Sequence, residues 1–314
     1  MNKNKKINAL FQIDSLSLLN LETDSSLDII KEGLKLGVNV WITDPKDLTF
    51  YAGRIFYTAC KVKNVSLKLY KPKKMFLENF DFFFIRQDPP FDMNYISNCY
   101  LLELHKKFNK KPFFINDPTG IKNFTEKIFP LYFHRLMPKT MVSWSVEALK
   151  FMFKKHDILV VKPLYCKGGE GIFKFSRNDK HAIPTFQELL SKYKSPVVIQ
   201  EFIENVKYGD KRVILVNGKA VGAVNRIPRK GAFKANLHLG GTAGKTTLSK
   251  KENDICQKLA SVLKANKLFF VGIDLIDQKL TEINVTSPTG LIQLKELYKI
   301  NISKLIWEEL FNIV

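Results

Sequence analysis

The stretch 271–290, VGIDLIDQKLTEINVTSPTG, constrains this chain more than any other. An apolar run over 268–276 reaches a polar tip at Asp277-Gln278-Lys279 and returns as 280–285, the pattern of a β-hairpin. A three-residue loop centred on Gln278 sets Asp274 opposite Glu282, and Asn284, two residues on, shares the face of Glu282. Ile273, Leu275, Ile283 and Val285 then form the opposite, core-facing side. Two carboxylates and an amide oxygen on one side of a sheet are donors that Mg²⁺ takes, with phosphate oxygens completing its shell. A hairpin whose polar face simply meets water has the same pattern. What favours ligation is the continuation, NVTSPTG, where the strand runs into hydroxyls, a proline and a glycine, a loop suited to gripping a carboxylate.

The rest of the chain supplies a frame for that hairpin. A strand over 7–14, a helix capped by Thr23-Asp24-Ser25 with Leu27, Ile30 and Leu34 at helical spacing, and a strand over 38–43 make a β-α-β unit, the opening of a parallel sheet. The apolar run at 81–86 suits a strand buried on both faces and ends at Arg86, where open α/β sheets place ligands. Pairing of Arg86 with Asp88 or Asp92 is the alternative. A helix over Met93–Phe108, a strand over 113–117 and the turn 117–120 close this block.

From Ile121 a helix carries Lys127, followed by a strand at 140–144, a helix at 146–156 and a strand at 158–162. The segment 163–171, PLYCKGGEG, joins that strand directly to another at 172–176. Its glycine spacing is not a dinucleotide fingerprint and no helix follows; a glycine loop between two strands can instead fold its N–H groups over phosphates as a flap, with Lys162 beside it to counter their charge, the alternative for Lys162 being a strand-end lysine that just reaches water. A strand at 196–203 leads to two more, 213–216 and 220–224, around Asn217-Gly218, the strongest short hairpin signal in the chain. Arg212 and Arg226 bracket that hairpin. The polar segment 231–247 reads as a long functional loop. Its GTAGKT at 241–246 resembles a phosphate-binding loop, but Leu239 takes the first required glycine position and no strand leads in. Helices over Lys250–Ala265 and 305–313 complete the reading.

Composition narrows the function classes. The chain has 314 residues, 45% of them hydrophobic and 25% charged, as ordinary globular proteins do. No apolar run approaches a membrane span, and the basic start, MNKNKK, carries no export-signal pattern, so the expected compartment is the cytoplasm, with no membrane partner. Cys60, Cys99, Cys166 and Cys256 are scattered without metal spacing and read as free thiols. The formal charge of +20 is spread along the chain instead of gathered in one stripe, which favours steering of anionic substrates over nucleic-acid binding.

In order along the chain, FQID, ETDSSL, RQDPPFDMNYI, INDP, Glu126-Lys127, VVKPLY, GDKRVILVNG, AVNRIP, NLHLGG and FVGIDLI…LTEINVTSPTG resemble the prokaryotic-type glutathione synthetases of the ATP-grasp superfamily nearly end to end. The resemblance implies an α/β fold with α+β subdomains. An N-terminal parallel-sheet domain at 1–120 would bind substrate, a central ATP-grasp lid would span 121–196, and a catalytic subdomain 197–314. It implies ATP-driven joining of γ-glutamylcysteine and glycine through an acyl phosphate, with Mg²⁺ or Mn²⁺ as cofactor, in a homo-oligomer. Asp274, Glu282 and Asn284 match metal ligands. Lys127, Lys162, Gly168, Gly169, Gly171, Asp210 and Arg212 match positions around the ATP phosphates, and Glu201 and Ile203 match the linker whose backbone meets adenine. Arg86, Arg226, Asn236, Gly241, Ser287 and Thr289 match the substrate side, with Arg226 and Arg212 as catalytic cations. The flap sequence and Lys234 depart from the family's usual residues. Another ATP-grasp carboxylate–amine ligase is the nearer alternative and a basic nucleic-acid-binding protein the remoter one.

Overall fold

A computed structural model describes residues 6–313; most of the basic start, MNKNKK, lies outside the described residues. Three sheets follow one another along the chain. The first begins with β1 (Asn8–Gln12), α1 (Ser25–Lys35) and β2 (Asn39–Thr43), with Asp24 capping α1 by accepting from Leu27 N at 2.9 Å. Strands β3 (Thr49–Tyr51), β4 (Arg54–Lys61) and β5 (Lys73–Phe76) form an antiparallel extension that the sequence reading passed over. The parallel part resumes with β6 (Phe82–Ile85), α2 (Met93–Phe108), β7 (Phe113–Ile115) and α3 (Pro118–Asn123). Strand order is β3-β4-β2-β1-β6-β7, with β5 on β4, and β6 is buried on both faces as its FFFI run requires.

The second sheet comprises β8 (Thr140–Ser143), β9 (Ile158–Pro163), β10 (Phe173–Ser176) and β11 (Val197–Glu201), in the order β10-β9-β11-β8. Helices α4 (Val146–Lys155) and α5 (Ala182–Tyr193) cover one face of it, their Leu149, Phe153 and Phe186 packing with Leu159, Val161 and Ile199. Helix α5 was not read from sequence. The boundary expected at 196/197 needs correction, because β11 is an inner strand hydrogen-bonded to both β9 and β8. This sheet therefore spans 140–201, and we place the division after Glu201.

The third sheet holds β12 (Asp210–Val216), β13 (Lys219–Ile227) and β14 (Thr242–Lys245), then α6 (Lys250–Ala265), β15 (Phe270–Ile276) and β16 (Lys279–Asn284), ordered β14-β13-β12-β15-β16. Strand β14 lies inside what read as one long loop, and takes up the decoy GTAGKT. A full capping box at Ser249 and Glu252 starts α6. The chain ends with α7 (Leu291–Tyr298) and α8 (Ile302–Phe311); α7 went unread and α8 begins earlier than expected.

Those last helices pack back under the first sheet. Trp307 of α8 is fully buried against Phe11, Phe82 and Phe84, and its Nε1 donates to Ile29 O at 2.8 Å. Asn116, just after β7, locks the first sheet to the hairpin: Nδ2 donates to Phe270 O and Val285 O, and Oδ1 accepts from Phe270 N, each at 2.7 Å. The N-terminal block and the C-terminal hairpin are thus one packed unit.

Candidate active site

The hairpin sets Asp274 opposite Glu282, but not through a three-residue loop. The turn has two central residues, Asp277 and Gln278, both at positive φ, so Ile276 faces Lys279 and Leu275 faces Leu280. A regular ladder would then bring Thr281 opposite Asp274. A bulge between Asp274 and Leu275 restores the Glu282 pairing, and the displaced Thr281 donates its hydroxyl to Asp274 O at 3.1 Å. The four apolar positions on the other face are all buried in the core.

Arg212 on β12 lies opposite Asp274 on β15, and Arg226 on β13 lies opposite Asp210 on β12. Their side chains share one face, with Arg212, Arg226 and Asp274 nearly sealed from water. Arg226 Nη2 binds Asp210 Oδ2 at 2.5 Å and Asp274 Oδ2 at 3.0 Å. The paired guanidiniums hold the Asp274 carboxyl far below its ordinary value, against the desolvation that opposes them. Asp210, more weakly compensated, is pushed up by burial to about 7, and its Oδ1 has no hydrogen-bond partner. Burial would lower Arg226, but Asp210 and Asp274 hold its guanidinium above its usual value.

This face looks across a cavity of about 810 Å³ toward the second sheet. Lys162 comes from β9, 7% exposed, with Nζ 3.9 Å from Glu282 Oε1; burial pulls its ammonium down. Glu201, at the end of β11, is committed to Lys279 at 2.6 Å and His156 at 3.4 Å, while Ile203, Val160 and Ile276 give that end of the cavity an apolar lining. Gly168, Gly169, Asn236, Ser287 and Thr289 also line it. The flap glycines sit at φ of +69°, +82° and +67° (168, 169 and 171), a region that favours glycine. The flap touches the long loop through Lys234 Nζ, which donates to Gly169 O at 2.9 Å.

Four expected positions need correction. Lys127 is not on a helix: α3 ends at Asn123, and Lys127 lies in the following turn, where Nζ donates to Cys166 O at 2.6 Å and Leu164 O at 3.4 Å at the root of the flap. Arg86 lies behind the wall, outside the cavity lining, donating to Ser26 Oγ and Pro288 O at 3.0 Å each. It pairs with neither Asp88 nor Asp92, which caps α2, and its Nη1 is left without a partner. Gly171 and Gly241 are likewise outside the lining; a Cβ on Gly241 would meet Ala235 O at 2.5 Å.

Sequence reasoning missed two groups. Asp88 lines the cavity, and its carboxylate accepts from Ser287 Oγ and from Lys167 Nζ. Glu126 accepts from Thr286 Oγ1 at 2.8 Å, and burial raises its carboxyl to about 7. Only its position beside Lys127 and inside RQDPPFD, respectively, could have drawn attention to Glu126 and Asp88.

The donor set suits a hard divalent cation. Asp274 stays ionised, Glu282 and Asn284 stand beside it, and the orphaned Asp210 Oδ1 adds an acceptor on the same face. Among the described residues no cluster of three or more His, Cys, Asp or Glu makes a metal cage, so a cation here needs ligand oxygens as well.

Residues 7–122 match the N-terminal domain of prokaryotic glutathione synthetase, and residues 126–299 match its ATP-grasp domain. A glutathione synthetase of Agrobacterium fabrum is 35% identical over 96% of this chain and 95% of its own length. One from Prochlorococcus marinus is 36% identical over 97% and 99%. Among solved structures, D-cycloserine synthetase DcsG is similar with a TM-score of 0.66 at 14% identity, covering 97% of this chain and 99% of DcsG. The macrocyclase MdnC of Microcystis aeruginosa, bound to its precursor peptide, has a TM-score of 0.62 at 19% identity, covering 98% and 100%. At such identities these two speak to the fold alone.

Proposed function

Because this chain belongs to the prokaryotic glutathione synthetase family and catalyses ATP-dependent synthesis of glutathione, we propose that its substrates are γ-glutamylcysteine, glycine and ATP, and that Mg²⁺ or Mn²⁺ is bound by Asp274, Glu282 and Asn284. The observation that carries this is the juxtaposition of that oxygen set with Lys162, Arg212 and Arg226 around one cavity. Attack of a carboxylate on a phosphoryl group brings anions together, so catalysis is mainly positioning and charge neutralisation. When bound, the cation would neutralise phosphate charge.

Lys162 and Lys127 reach the phosphates, with the flap N–H groups of Gly168 and Gly169 above them. Adenine takes the apolar end near Ile203. Arg212 holds Asp274 ionised and in place. The dipeptide carboxylate attacks the γ-phosphorus with departure of ADP. Glycine nitrogen then attacks the acyl carbon, Arg226 steadies the oxyanion, and phosphate leaves as the peptide bond forms. The flap and the loop carrying Lys234 and Asn236 exclude water from the acyl phosphate. Thr289 and Ser287, one strand-end from the metal set, hold the dipeptide. Arg86 acts indirectly, through the Pro288 carbonyl.

The four cysteines are free, and no helix among the described residues is long and apolar enough to cross a membrane; cytoplasmic location and homo-oligomerisation belong to this same reading. The test is phosphate release from ATP with γ-glutamylcysteine, with and without glycine, in Mg²⁺, Mn²⁺ and chelator, with product mass read in parallel. Glycine- and metal-dependent release with the mass of glutathione is expected. Release driven by a different amino acid instead of glycine would overturn the acceptor assignment.

A further inference from the structure

Asp88 joins three separate parts of the molecule, two of them through its carboxylate. Its backbone N–H donates to Asp14 Oδ2 at 2.9 Å, which fixes it beside the ends of β1 and β6. Oδ1 accepts from Ser287 Oγ, in the loop after β16, and Oδ2 accepts from Lys167 Nζ, in the flap, at 2.5 Å. The Asp88 side chain is 36% exposed and that of Lys167 51%, so this pair sits at the open edge of the cavity.

A γ-glutamyl dipeptide brings two carboxylates and one ammonium. The ammonium has three donors and no acceptor, and enclosing it without an anion is costly. Most other carboxylates around the cavity are occupied. Asp274 and Glu282 serve the cation, Arg226 takes Asp210, Lys279 takes Glu201, and Asp24 caps α1. Glu126 and Glu170 are engaged by Thr286 and Tyr193. Glu201 and Glu170 also face lysine ammoniums, Lys279 and Lys192; Asp88 differs in that its ammonium, Lys167, belongs to the flap itself and that Ser287 shares its carboxylate, so one ammonium can replace another there without change of net charge.

Resting on the dipeptide reading above, we propose that Asp88 recognises the α-ammonium of the donor acid, and that Lys167 occupies this carboxylate until the donor arrives. Exchange of the two ammoniums frees Lys167 from the N-terminal block, leaving the flap tied to the long loop through Lys234 and Gly169. Donor occupancy and flap position are then linked through a single side chain.

The experiment compares γ-glutamylcysteine with glutarylcysteine, which keeps the amide and both carboxylates but lacks the ammonium. Wild type, Asp88→Asn and Lys167→Gln are each assayed for kcat and KM on both donors. Wild type should prefer the ammonium-bearing donor in kcat/KM by about ten- to a hundred-fold, as expected for a charged hydrogen bond. Asp88→Asn should bring that preference close to one, and Lys167→Gln should lower KM for γ-glutamylcysteine several-fold but leave KM for glutarylcysteine unmoved. A loss in Asp88→Asn that is equal for both donors would make Asp88 a structural residue and overturn the inference. An equal shift on both donors in Lys167→Gln would do the same for its competing role. Wild type that uses neither donor overturns the substrate reading and this inference with it; equal use of both overturns the inference alone.

Discussion

Arg212 and Asp274 face each other on neighbouring strands and form a two-point pair, Nε to Oδ1 at 2.5 Å and Nη2 to Oδ2 at 3.0 Å. Arg226 closes on the same Oδ2 at 3.0 Å. One buried carboxylate thus holds two buried guanidiniums, and they keep it charged.

Asp274→Asn would leave Arg212 without its anion and Arg226 with Asp210 alone. A loss of about 3–5 kcal/mol is expected from breaking one partner of a buried pair, seen as a lower thermal midpoint. ATP turnover should fall by about two orders of magnitude or more. In wild type the stabilisation from Asp274 is present above its ordinary carboxyl value of 3.8 and is lost as pH falls below it toward the depressed folded value. Acid unfolding of wild type and variant, compared by circular dichroism, checks the stability loss and its pH dependence, and phosphate release from ATP checks the turnover.

Glu126 has the opposite sign. Its folded value of about 7 lies above the ordinary 4.5, so its contribution favours the folded state at low pH and is lost as pH rises from 4.5 through 7. Glu126→Gln keeps an oxygen for the Thr286 hydroxyl and removes the buried charge. The variant should gain roughly 1–3 kcal/mol over wild type at pH 8 and show little difference at pH 4. Denaturant midpoints at the two pH values measure it; Asp210, which rises in the same window, remains in both proteins.

Gly169→Ala tests the flap. At φ +82° an alanine is strained by about 1–2 kcal/mol, and its Cβ would meet Asn236 Oδ1 at 2.8 Å, in the loop opposite. The expected outcome is a higher KM for ATP and phosphate release that exceeds peptide formation, because the two covering segments no longer meet. The ratio of phosphate to product, measured in one reaction, decides.

Trp307→Ala should cost about 3–5 kcal/mol, as large-to-small changes in a packed core do. Since Trp307 packs against Phe11 and Phe84 of the first sheet, the N-terminal block and the C-terminal helices should lose stability together. Hydrogen exchange over β1, β6 and α8 would show this as a common rise in rate.

Much of this architecture could be read along the chain, for identifiable reasons. The FFFI run gave β6 because a strand buried on both faces has no polar alternation. Asn217-Gly218 gave the β12–β13 hairpin because both residues take positive φ, at 48° and 75°. Helices α2 and α6 fell at their full bounds, with caps at Asp92 and Ser249. By contrast α5 and α7 went unread, β14 hid in a polar segment, and β11 was assigned across a boundary that its two hydrogen-bonded neighbours rule out.

The sequence by itself determined the hairpin, its core-facing side and the bracketing arginines, whereas the Asp274–Glu282 pairing needed a bulge that the local pattern does not show. Period-two alternation and turn chemistry act over a few residues, and these fix which side chains share a face. Tertiary structure alone decided that Lys162 approaches Glu282 at 3.9 Å from another sheet, that Arg86 stands behind the wall holding Pro288, and that Asp88 gathers Ser287 and Lys167. Partners separated by 79 to 202 residues meet only when whole sheets pack, and which buried charge finds which counter-charge follows from that packing, not from local pattern.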